Sequence, residues 1–214
     1  MKKAIVFVDA NNWYHNVKKI FNPGDIDIKK VGRLISKHFN LEIIETRWYA
    51  SIPSIADGEL MYKRHRAFLG KLEKDDIKVI TRKLQRLSNK EIISEKQKTI
   101  NNLDLCAVCK PLVESVFLDL ADIKKKEKGI DIWIAIDMIK LSIIDNKCDT
   151  CILISGDTDF VPALEIIKKQ GKEALTSMVP WGYSAELRQK FPYLILKKEA
   201  LVGCMREYKE VKEE

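Results

Sequence analysis

The chain opens on a short continuous apolar run, Ala4-Ile5-Val6-Phe7-Val8, closed by Asp9. Such a run reads as a strand buried on both faces of a parallel sheet. Trp13, Val17, Ile20 and Phe21 then recur at i, i+4, i+7 and i+8, a helical stripe stopped by Asn22-Pro23-Gly24. Ile28, Val31, Leu34, Ile35, His38 and Phe39 predict a second helix, with His38 on its apolar face. Residues 41–51 alternate and carry Ile43, Ile44, Trp48 and Tyr49, the pattern of a strand. Met61, Phe68, Leu69 and Leu72 mark a helix whose outer face holds Lys63, Arg64, Arg66, Lys71 and Lys74, and residues 77–81 form the next strand.

Between residues 82 and 128 the periodicity weakens. Residues 84–100 are polar and basic, and residues 113–120 are apolar but ambiguous between strand and helix. Order returns at residues 130–144, so apolar that a helix there is expected to be buried on most sides. Residues 150–154 predict a strand, 161–169 a helix ending at Gly171, and 173–178 a strand. Ser184 is placed to cap a short helix, and residues 196–208 suggest a final, charged helix. Strands alternating with helices predict an α/β domain with a mainly parallel sheet, interrupted by an insertion around residues 82–128.

The length of 214 residues suits a single domain with elaborations. With 46% hydrophobic and 32% charged residues the composition is that of a globular protein, which argues against disorder. No apolar run approaches the ~18 residues of a membrane span. The five-residue run after Lys2-Lys3 is too short for the core of a signal peptide, so a cytoplasmic protein is expected.

Charge adds a more local feature. Of 38 bases and 31 acids, residues 63–98 hold twelve and five, leaving 26 of each elsewhere, so this one segment carries the whole surplus of +7. A localised basic patch is the footprint expected of a phosphate backbone, although solvated lysine-rich surfaces look the same in sequence.

The candidate chemistry lies where aspartates fall against apolar runs. Asp9 ends the first strand in Phe7-Val8-Asp9-Ala10-Asn11-Asn12, and Asp157 and Asp159 follow a later one in Ile154-Ser155-Gly156-Asp157-Thr158-Asp159. Open parallel sheets bind ligands beyond the carboxyl ends of their strands. Carboxylates brought together there raise each other's pKa unless a cation keeps them ionised, and hard oxygen ligands suit Mg²⁺ or Mn²⁺. Structural alternatives exist for each: Asp9 as a turn residue, and Thr158 or Asp159 as a helix cap with Pro162 in the first turn. Asp137 lies within the most apolar stretch and needs a partner, either a metal or Lys140 three residues on. Asp131, about 120° around the helix from Asp137, is expected at the start of the helix as a cap or at the edge of the site.

These residues resemble a known family. Phe7-Val8-Asp9-Ala10-Asn11-Asn12, then Lys128-Gly129-Ile130-Asp131 with Asp137, then Ser155-Gly156-Asp157-Thr158-Asp159-Phe160, are similar in order and content to the three motifs of the NYN domain, a member of the PIN-like nuclease superfamily. Ser184, Leu187 and Phe191 before a closing strand fit the same pattern, and the likeness covers residues 1–80 and 128–196. The resemblance implies a Rossmann-like three-layer α/β sandwich (PIN-like) and a metal-dependent ribonuclease. It implies Asp9, Asp137, Asp157 and Asp159 as ligands of Mg²⁺ or Mn²⁺, with Asn12 orienting the site and Asp131 at its edge. RNA, most simply single-stranded, is then the expected partner. Lys63, Arg64, Arg66, Arg82, Lys83 and Arg86 would contact its backbone, and Trp13, Tyr14, Trp181 and Tyr183 are candidates for base stacking, with Trp13 fitting the core equally well.

Two further readings stay open. An NYN-type protein can bind RNA or a partner without turnover, since fold does not fix function. A small-molecule phosphohydrolase of the haloacid-dehalogenase type is disfavoured, because position 11 is Asn11 and the Asp-x-Asp pair is absent. Cys106, Cys109, Cys148 and Cys151 form two Cys-x-x-Cys pairs with the spacing of a structural Zn²⁺ site. Against it, Cys151 falls in a predicted strand, where it would be a core thiol, and residues 148 and 151 would face opposite sides if both were extended. His15, His38 and His65 do not cluster, and homodimerisation is left open.

Overall fold

In the computed structural model, which describes residues 1–55, 58–83, 85–86, 89–119, 125–126 and 129–207, the elements follow the expected alternation. They are β1 (Lys2–Asp9), α1 (Ala10–Val17), α2 (Ile28–Phe39), β2 (Leu41–Ile52), α3 (Glu59–Lys74), β3 (Lys78–Lys83), β4 (Gln85–Arg86), α4 (Asn89–Asn101), α5 (Cys109–Asp119) and β5 (Lys125–Lys126). They continue with α6 (Ile130–Ile139), β6 (Thr150–Ile154), α7 (Val161–Lys169), β7 (Glu173–Met178), α8 (Ala185–Lys190), β8 (Tyr193–Ile195) and α9 (Lys198–Val202).

The chain divides into two units, Met1–Arg82 with Gly129–Glu214, and Lys83–Lys128. The first is an α/β sandwich around a six-stranded sheet of order β3-β2-β1-β6-β7-β8. The ladders β1–β2, β1–β6, β6–β7 and β7–β8 are all parallel. Strand order therefore runs outward in both directions from β1 and β6. The carboxyl ends of that central pair are the topological switch point, where loops leave towards opposite faces and where open α/β sheets bind their ligands.

Alternation along the strands builds two cores. Val6, Val8, Trp48 and Ile152 face α1, α2 and α3, whose Trp13, Val17, Val31, Ile35, Leu69 and Leu72 cover them. Ile5, Phe7, Tyr49, Cys151 and Leu153 face the other side, under Ile134 and Met138 of α6 and Leu164 and Ile167 of α7. Asp27 and Ser184 cap α2 and α8 by accepting backbone N–H groups two or three residues on.

The second unit holds an antiparallel β4–β5 pair and the helices α4 and α5, joined by a Gln97 Nε2 to Glu114 Oε1 bond of 2.9 Å. Both helices lie where the sequence pattern was polar or ambiguous.

Three expectations change. The stretch 130–144 is not buried on most sides: Ile132 and Ile136 are 65% and 52% exposed, because only one side of α6 reaches the sheet, and residues 140–144 continue as a π-helical turn. The final helix is short, Lys198–Val202, since the chain turns at Gly203 and Met205 bridges to Ile26; Tyr208 lies outside the described residues. His38 is exposed, its ring edge-on to Phe39 at 4.6 Å, because the stripe of α2 turns away before it. Among the described residues no helix is long and apolar enough to cross a membrane.

Leu153, fully buried in β6 on the α6–α7 side, tests the assignment of the core. Leu153→Ala is expected to lower unfolding stability by about 2–5 kcal/mol in urea denaturation. A loss below about 1 kcal/mol would contradict its packing.

Candidate active site

Asp9 is the last residue of β1 and is 4% exposed. A carboxylate so placed is stable only with its oxygens satisfied. Its Oδ1 accepts the backbone N–H groups of Asn11 and Asn12, both at 3.1 Å, which makes Asp9 the cap of α1. Its Oδ2 accepts the Ser155 hydroxyl at 2.9 Å from the end of the neighbouring strand β6. Ser155 Oγ in turn accepts the Asp157 N–H at 3.1 Å, so one hydroxyl links the two motifs.

Asn12 makes a second link. Its side-chain oxygen accepts the Gly156 N–H at 3.1 Å and the Asn16 amide at 3.1 Å. The turn Pro180–Gly182 is packed onto this network so closely that a side chain at Gly156 is impossible. A Cβ there would stand 1.4 Å from the Gly182 carbonyl oxygen, and one at Gly182 would stand 2.0 Å from the Asn16 amide nitrogen. Gly156 serves the site by this close approach of backbones rather than by an unusual φ.

Asp157 caps the single 3-10 turn Thr158–Phe160, its Oδ1 accepting the Asp159 N–H at 3.0 Å. The cap is therefore Asp157, neither Thr158 nor Asp159, and Pro162 sits in the first turn of α7 as expected. Asp159 is exposed, and among the described residues its carboxylate has no hydrogen-bond partner.

Asp137 is held by β2, not by Lys140. Its Oδ2 accepts Arg47 Nη1 at 2.8 Å and the Tyr49 hydroxyl at 2.7 Å. Arg47, 5% exposed, is ion-paired to Glu45 as well. Lys140 is on the same helix face in sequence, but the carboxylate points to the sheet and the lysine to solvent. Burial, with the Asp137 carboxylate opposite, holds the Tyr49 phenol far above its ordinary pKa, so it remains a donor. Register sets Tyr49 beside Asp9. Arg47 and Tyr49 were missed in sequence; the available signal was a strand that places an arginine two residues from a tyrosine on a core-facing side. Asp131 lies in the exposed first turn of α6, after Gly129 at the cap position.

The NYN domain family model matches residues 3–196. The chain belongs to the NYN domain family. None of the curated proteins matches. The fold is similar to that in the crystal structure of a protein of unknown function, VPA0982, from Vibrio parahaemolyticus RIMD 2210633. The TM-score is 0.57 at 18% identity, over 92% of this chain and 93% of that one. The NYN family is generally nuclease-like, and its nucleases typically use divalent metals.

Among the described residues no three His, Cys, Asp or Glu side chains are grouped as a metal cage. The donors nonetheless fit a hard cation of the Mg²⁺ type. Such an ion is usually held by one or two carboxylates and the substrate's phosphate rather than by a full protein cage. Asp9 and Asp157, linked through Ser155, supply that number.

The remaining predicted residues separate. Lys63, Arg64 and Arg66 are exposed on α3, over the sheet face opposite α6 and α7, and Lys63 pairs with Glu59. Arg82 stacks on the Trp133 ring at 4.8 Å, beside Gly129. Lys83 begins the second unit, and the side chain of Arg86 lies outside the described residues. Trp13 is buried in the core, Tyr14 is half-exposed, and Trp181 and Tyr183 are exposed. Cys106 and Cys109 are exposed in the second unit, whereas Cys148 and Cys151 are buried in the first. Those last two share one side of the sheet, because β6 begins only at Thr150 and Cys148 is not extended with it.

The Arg47–Asp137 pair lends itself to a double-mutant cycle. Arg47→Met should cost about 3 kcal/mol in thermal or urea unfolding, since Glu45 and Asp137 lose their cation. Adding Asp137→Asn should recover part of the loss, and strict additivity would contradict the coupling.

Proposed function

We propose that this NYN protein is a metal-dependent ribonuclease that hydrolyses phosphodiester bonds of single-stranded RNA in the cytoplasm. The observation that carries this reading is the buried Asp9 tied through the Ser155 hydroxyl to Asp157 at the switch point of the sheet. Asp9 and Asp157 would hold the cation together with the substrate's phosphate, Asp159 stands beside them, and Asp137 completes the acidic set with its charge balanced by Arg47. A bound Mg²⁺ or Mn²⁺ supplies Lewis-acid polarisation of the phosphate and lowers the pKa of a water. The chain's own residues set the geometry around it.

Asn12 and Ser155 fix the backbone of Gly156 and Asp157, so the two carboxylate loops do not have to be ordered when RNA arrives. Asp159, exposed and without a hydrogen-bond partner among the described residues, is suited to orient the attacking water and take its proton. Tyr49 remains protonated and holds Asp137 as an acceptor. Asp131 stands at the rim.

One observation favours a second reading, RNA or partner binding with little turnover: Asp137 already has a built-in cation in Arg47, and no three carboxylates converge among the described residues.

Asp157→Asn distinguishes the two. Asparagine keeps the capping oxygen, so the fold should persist by circular dichroism. Cleavage of a labelled single-stranded RNA with Mg²⁺ or Mn²⁺ should fall about a hundredfold or more. Equal cleavage by both proteins, or none by the wild type with either metal, would overturn the nuclease reading.

A further inference from the structure

Beyond the carboxylates, a cleft of about 610 Å³ opens between the end of α1, the turn Pro180–Gly182 and the start of α9. Its wall carries two aromatic side chains largely in solvent, Trp181 at 66% and Tyr183 at 51% exposure. The same lining carries four bases, Lys19, Arg188, Lys197 and Lys198, and one acid, Glu199. The Tyr183 ring and the Trp181 backbone are held in place. Arg188 packs its guanidinium over Tyr183 at 4.9 Å and over Tyr193 at 5.4 Å, which fixes the Tyr183 ring. Lys19 Nζ reaches the Trp181 carbonyl at 3.5 Å and Asn16 Oδ1 at 3.3 Å, tying the turn to α1.

We infer that this cleft is the binding track for single-stranded nucleic acid, with a base stacked on Trp181 and backbone phosphates held by Lys19, Lys197 and Lys198. It rests on the reading of the adjacent carboxylate edge as an RNA-cleaving site, and names where the strand lies.

Two arguments favour this ligand. Exposed aromatics set among cations are the components of sequence-tolerant single-strand binding: a nucleobase covers the ring, and its phosphates meet the cations around it. An anionic protein segment would use the lysines but not the ring face of Trp181. Placement is the second argument. The Trp181 turn is built directly on Gly156 and Asn16, the same two residues that Asn12 holds against the carboxylate loops. A strand stacked here therefore leaves the cleft beside Asp157. The bases of α3 have no such connection, since α3 joins β2 to β3 at one edge of the sheet, whereas the cleft lies beside β7 and β8 at the other.

The test is binding of a fluorescein-labelled 12-nucleotide single-stranded RNA by anisotropy, with EDTA present so that turnover does not enter. Trp13 and Trp48 are buried, so quenching of intrinsic fluorescence reports on Trp181 and on the half-exposed Trp133. Trp181→Ala is expected to weaken binding roughly tenfold or more and to remove most of the quenching. Lys197→Ala with Lys198→Ala should flatten the log–log salt dependence by about 1.4, the loss of two phosphate contacts at ~0.7 each.

Wild-type affinity and salt slope in these variants would overturn the cleft. So would duplex RNA or polyglutamate competing as well as the single strand. Such a result with Asp157-dependent cleavage intact removes the cleft alone, whereas cleft-dependent binding without any metal-dependent cleavage removes the nuclease reading alone.

Discussion

Burying an anion at the end of a strand constrains everything around it. Asp9 is nearly inaccessible, and its charge is tolerable because donors converge on it, among them two N–H groups of the first turn of α1 and the hydroxyl of Ser155. Those donors belong to the helix that leaves one face of the sheet and to the strand that begins the other half. One carboxylate thus fastens β1, α1 and β6 at the point where the strand order reverses. The Ser155 hydroxyl then passes the constraint to Asp157, and Asn12 passes it to Gly156 and the Trp181 turn.

Much of this was legible in sequence because it is local. Residues 150–154, 161–169 and 173–178 have the boundaries the hydrophobic pattern predicts, since each is a short buried element between clear stops. The site loops were legible for the same reason, with aspartates directly after apolar runs. The partner of Asp137 was not. Arg47 is ninety positions away in sequence, and only the β1–β2 register and the crossing of α6 bring them together. Lys140 was the local candidate, and tertiary packing overrode it.

Two other departures share a cause. A continuous apolar stretch does not say how many sides of a helix meet the sheet, so Ile132 and Ile136 were read as buried when α6 presents them outward. The charged tail after Leu196 has helical composition, yet the chain turns at Gly203 to pair Met205 with Ile26, which leaves α9 one short helix. Charge counting also found the largest excess, not the most connected one. Five of the twelve bases in that excess lie close together on α3, while the four bases around Trp181 are dispersed over Lys19, Arg188, Lys197 and Lys198 and gather only in the fold.

In the nuclease reading the β1 and β6 carboxylates form one hard-cation site. The most direct measurement is the anomalous difference map of a crystal soaked in Mn²⁺. A peak is expected within coordination distance, about 2.0–2.3 Å, of carboxylate oxygens of Asp9 or Asp157 at the carboxyl end of the sheet. A map with no peak at this edge, or with Mn²⁺ bound only at surface acids elsewhere, would contradict it.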